Sequence, residues 1–157
     1  MVFSTLLACH VLAGLTATVC GAAAMLVRKR PRRHPFLGRA YGLALVVVVV
    51  TALGMGVLHW PHVNHLLVVA GVAAASAAVG YTARRVRWKG WLPWHISGMA
   101  LSYIAMLTGF YVDNGPRLPL WNLLPPVAFW FLPAAIGAPL LARALARHRT
   151  RPRQLSG

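Results

Sequence analysis

The chain has 157 residues, 59% of them hydrophobic, and sixteen Lys and Arg stand against a single acid, Asp113. A soluble domain carries about a quarter charged residues with both signs mixed, whereas the charged share here is 11% and one-signed. That balance excludes an ordinary water-soluble domain. Because the charge is confined to connections between apolar runs, the net +15 is explained without a nucleic-acid partner.

Five runs have the length and apolarity of a membrane span, approximately 2–27, 40–58, 63–83, 93–111 and 123–142. About 20 apolar residues cross a hydrocarbon layer roughly 30 Å thick, and in lipid each run must be helical to satisfy its own backbone. The first run holds Cys9, His10 and Cys20. The cysteines are about 16 Å apart along a helix axis and cannot bridge within it. No basic segment precedes this run, so a retained span is expected rather than a cleaved signal peptide. His10, Gly14, Ala17 and Gly21 form one stripe. The basic cluster Arg28, Lys29, Arg30, Arg32, Arg33 and Arg39 follows.

The second run carries the stripe Gly38, Gly42, Leu45, Val49, Ala52, Gly56 and His59. The connection to the third run reads His59-Trp-Pro-His62-Val-Asn-His65. The third run aligns His65, Val69, Val72, Ser76 and Val79, and is followed by Arg84, Arg85, Arg87 and Lys89. The fourth aligns His95, Gly98, Ser102, Ala105 and Gly109. Small residues on such stripes let backbones approach closely, which is what drives helix packing in lipid. Asp113-Asn114-Gly115-Pro116 predicts a turn. The fifth run contains Pro125, Pro126, Pro133 and Pro139, which predict bends and a peripheral position. Arg143, Arg147, Arg149, Arg151 and Arg153 close the chain. Pro35, Pro61 and Pro93 are placed in first helical turns, where proline is tolerated, and the tryptophans fall near interfaces.

The predicted fold is an all-α membrane protein: five transmembrane helices, with a four-helix core bundle and a Pro-kinked fifth helix. It is organised as one transmembrane domain, 1–145, and a basic cytoplasmic tail, 146–157. Cytoplasmic loops collect Lys and Arg, so the three clusters predict the N-terminus outside and the C-terminus inside, with anionic head groups against the basic loops.

Histidine is the informative residue type, because a polar ring in a span marks a functional candidate. One candidate set is metal-binding: His10 with His59, His62 and His65, at similar depth on the outer side. Neutral imidazole suits zinc, copper and haem iron, and the lack of carboxylates disfavours magnesium and calcium. A second set is cofactor-binding. His10 and His65 belong to the first and third helices on the outer side, and His34 and His95 begin the second and fourth on the inner side. Paired histidines in two layers are how bis-histidine haems sit in a helical bundle, and the layout resembles the transmembrane two-haem cytochrome b families. An outer single haem is favoured over two. Asp113 and Arg117 bracket the outer turn, as a surface pair or as a contact over the outer histidines. His148 reads as a solvated ring among arginines. No phosphate-binding loop, dinucleotide fingerprint, serine elbow or Cys-x-x-Cys pair occurs.

Several stretches together resemble a bacterial family of predicted multi-pass membrane proteins of unknown function. They are His10-Val-Leu-Ala-Gly14, His34-Pro-Phe-Leu-Gly-Arg-Ala-Tyr41, and His95-Ile-Ser-Gly98 through Phe110. Val112-Asp-Asn-Gly-Pro-Arg117 through Trp121, and Leu124-Pro125 through Pro133 and Gly137, complete them. Pro35 stands where the family commonly has Arg. The resemblance implies a bacterial plasma-membrane location, supplies no reaction, and singles out His10, His34, His95 and Asp113.

The sequence therefore points to a His-ligated haem b protein, with copper or zinc behind it, exchanging electrons with a quinone or a membrane partner. The alternatives are a non-catalytic membrane subunit or assembly partner, and a small-molecule permease. Intramembrane acids, which transport usually needs, are lacking.

Overall fold

The computed structural model describes residues 1–27, 32–58, 64–119 and 121–149. Among these residues there are five long helices: α1 (Val2–Leu26), α2 (Arg33–Leu58), α3 (Asn64–Val86), α4 (Trp91–Asn114) and α5 (Ala128–Arg149). Two short 3-10 turns, Gly115–Arg117 and Trp121–Leu123, lie between α4 and α5. All five helices are long and apolar enough to cross a membrane. The protein is an all-α, multi-pass membrane protein. Large apolar side chains such as Leu12, Leu15, Val19, Leu43, Val46 and Val50 stand exposed along α1 and α2. In water each would forgo about 1.5–3 kcal/mol of burial; facing hydrocarbon, they do not.

Helix ends differ from the apolar runs in an instructive way. α2 begins at Arg33, seven residues before the apolar run starts at 40, so His34 lies in a first helical turn with Pro35 beside it. α4 runs on through Asp113 and Asn114, and the expected turn begins only at Gly115. α5 starts after Pro125 and Pro126, contains Pro133 and Pro139, and continues through Arg149, so the first residues expected in a tail are helical. Interior prolines persist there because neighbouring groups in a membrane protein can take up the freed carbonyls.

Residues Met1–Ala74 and Ala75–Gly157 form two compact units. In the first, α1 packs along α2. Ala17, Gly21 and Ala24 are the buried positions of α1, on the stripe expected. The buried positions of α2 are Tyr41, Ala44, Leu45, Thr51 and Gly56, so the packed face is turned about one position from the expected glycine stripe. Gly38 and Gly42 have open space where a side chain would stand. Tyr41, only 2% exposed, fills the seam in their place.

In the second unit α3 and α4 cross at Gly80 and Gly98. A methyl group on Gly98 would lie 2.6 Å from the Gly80 nitrogen and the Ser76 carbonyl oxygen. Hence the α4 seam is Gly98, Ser102, Ala105 and Thr108, close to expectation. The α3 seam departs from it. Val69 and Ala73 of the first unit and Gly80 and Ala83 of the second are the buried positions of this helix, while Val72 and Val79 are exposed. α5 is tied to α4 by Phe129, which is 1% exposed and whose ring occupies the space a side chain on Gly115 would need.

Candidate functional site

The two helix pairs hold their histidines by one chemical device. In the first unit, His34 Nδ1 lies 2.9 Å from the Ala24 carbonyl in the last turn of α1. In the second, His95 Nδ1 lies 2.8 Å from the Gly80 carbonyl of α3. A carbonyl only accepts, so both rings donate from Nδ1–H. In a neutral ring the lone pair then resides on Nε2. Both histidines sit near the start of the second helix of their pair, and each reaches back to the preceding helix.

His10 follows the same logic through a hydroxyl. Its Nδ1 is 2.9 Å from Thr51 Oγ1. Thr51 directs its one hydroxyl hydrogen at its own helix, 2.7 Å from the Val47 carbonyl and 3.1 Å from that of Val48. With its hydrogen there, Oγ1 can accept from His10 as the Nδ1–H tautomer, whose lone pair is on Nε2. This bond lies about 12 Å along α1 from its first residue, well inside a span. Thr51 is 6% exposed. It escaped the stripe analysis because it lies beside the expected seam; the signal for it was a lone hydroxyl in the run of valines.

His10, His34 and His95 are all half-buried, and His65 is exposed at the start of α3. His95 has further support on its own helix. Its ring is 6.2 Å from that of Trp91, tilted by 50°, and the Arg87 guanidinium stands over the other ring of this pair, 5.9 Å from the Trp91 centroid. A cation over an indole face is favourable by about 0.5–1 kcal/mol where exposed. His59 and His62, two members of the outer set His10, His59, His62 and His65, lie outside the described residues. Among the described residues no three His, Cys, Asp or Glu side chains converge to hold a metal ion.

Asp113 and Arg117 are exposed and finish α4. Arg117 Nη1 donates to the Asp113 main-chain carbonyl at 3.1 Å, and Asn114 Nδ2 donates to the Phe110 carbonyl at 3.1 Å. Both satisfy carbonyls at a helix end that runs out of backbone donors. His148 is exposed on the last turn of α5. Cys9 and Cys20 are free thiols.

His10, His34 and His95 each have Nδ1 engaged by a hydroxyl or a carbonyl. A histidine that binds iron does so through one ring nitrogen while the other donates to a carbonyl or hydroxyl, which fixes tautomer and ring orientation. Haem needs one or two such nitrogens, whereas a bare zinc or copper ion needs three or four converging ligands. Comparison with known proteins adds no family: no family model, no curated protein and no solved structure matches this chain.

Proposed function

We propose that the protein is a membrane electron carrier that holds haem b through histidine. The observation that supports this reading is the shared Nδ1 hydrogen bond of His10, His34 and His95, which holds each ring against the neighbouring helix of its pair. Haem, when bound, supplies a one-electron couple. The chain's part is to orient Nε2 and to keep water away with apolar helix faces. The Thr51, Ala24 and Gly80 acceptors hold the three rings in place. A quinone or a membrane partner would then take up or deliver the electron.

The test is a haemin titration of the full chain in mild detergent, followed by the Soret band. Saturable binding is expected, and His10→Ala, His34→Ala or His95→Ala should weaken it about tenfold or more where the ring is an axial ligand. His148→Ala should bind as wild type does. If all three interior variants titrate like His148→Ala, the reading is wrong.

A second reading, that of a non-catalytic subunit, has one observation in its favour. Gly14, Gly38, Gly42 and Gly71 have nothing within 4 Å of where a side chain would stand, and open small-residue positions are where another helix can dock in lipid. A second membrane protein that copurifies in fixed ratio, and is lost in Gly42→Leu, would carry that reading; an unaltered solitary chain would remove it.

A further inference from the structure

We propose that the start of α2 binds the phosphate head group of an anionic phospholipid. A cleft there is lined by Arg32, Arg33, Pro35, Phe36 and Arg39. Phe36 and Arg39 are three residues apart on α2 and share one face, and Arg32 stands just before the helix with a φ of 84°. All three arginines are exposed, and Phe36 is 71% exposed. The chain's single acid is Asp113, outside the unit Met1–Ala74. No carboxylate of this unit can neutralise the cluster, so its counter-charge comes from outside. Arginine presents a planar fork that grips phosphate oxygens in pairs.

Two observations favour a lipid over a soluble anion. Along the helix the cleft runs from Arg33, about 10 Å before the apolar run, to Arg39, about 2 Å before it, a stretch that covers the head-group layer beside a hydrocarbon core roughly 30 Å thick. Its lining is also two-natured. Pro35 and Phe36 offer apolar surface beside the guanidinium groups, as the junction of a phosphate with acyl chains requires. The positive end of the α2 dipole adds to the same field.

The experiment places the full-length protein in phosphatidylcholine nanodiscs containing a minor fraction of phosphatidylglycerol, exchanges it into neutral detergent, and counts retained lipids by native mass spectrometry. Wild type should retain phosphatidylglycerol in preference to phosphatidylcholine. The Arg33→Gln, Arg39→Gln double variant should lose that retention by about 25-fold, roughly fivefold per charge removed. The Arg143→Gln, Arg147→Gln double variant removes the same charge from the exposed end of α5 and should retain as wild type does. Equal retention in the two double variants, or equal retention of the two lipids by wild type, overturns the proposal. Displacement by millimolar inorganic phosphate alone overturns the lipid assignment and leaves a phosphate site.

Discussion

At the scale of single residues, the informative fact is where each imidazole proton sits. The sequence displays seven histidines and ranks them by depth, but tautomers depend on partners brought up by folding. The Ala24 and Gly80 carbonyls are ten and fifteen residues before their histidines, a relation set by hairpin closure rather than by any motif. His34 shows the cost of reading apolarity alone: it stands outside the apolar runs, beside Arg33, yet it occupies a helical turn and is half-buried. Thr51 carries the clearest residue-scale prediction. Thr51→Val keeps the shape and removes the acceptor, at a cost of about 1 kcal/mol, which corresponds to about a fivefold change in the His10 tautomer ratio. Nitrogen-15 shifts of the ring should show His10 protonated at Nδ1 in wild type and a mixed population in the variant. A wild-type His10 with a bare Nδ1 would remove the argument for Nε2 as its ligating atom.

At the scale of helices, two of the four expected stripes describe the packing and two do not. The α1 and α4 stripes hold the buried positions Ala17 and Gly21, and Gly98, Ser102 and Ala105, with backbones in close approach at Gly98 over Gly80. On α2 and α3 a spacing count cannot separate a glycine that admits a neighbour from one that faces outward. Gly42 is of the second kind. The two glycines therefore respond oppositely to one added methyl. Gly98→Ala must push backbone away at 2.6 Å, and overpacking of this sort costs about 1–3 kcal/mol. Gly42→Ala meets nothing and gains about 0.5–1 kcal/mol of helix propensity. Unfolding by added denaturing detergent, followed by circular dichroism, should order the proteins as Gly42→Ala, wild type, Gly98→Ala. The reverse order would mean that α3 and α4 do not cross at this point.

At the scale of the molecule, span number and the all-α class were legible because lipid imposes a length and composition on anything that crosses it. The helix ends were less so, since hydropathy reports the apolar run while helices such as α2 extend beyond it through charged turns. Hydropathy does not carry the histidine arrangement at all: two helix pairs, each presenting a histidine to its preceding helix, and a third ring deep in α1 tied to Thr51. The most direct measurement is the dithionite-reduced minus oxidised absorbance spectrum of the full chain, purified from its native membrane without added haem. The account predicts the α and Soret bands of a histidine-ligated b-type haem, diminished in His10→Ala, His34→Ala or His95→Ala. A colourless wild-type protein, free of haem by extraction, would contradict it.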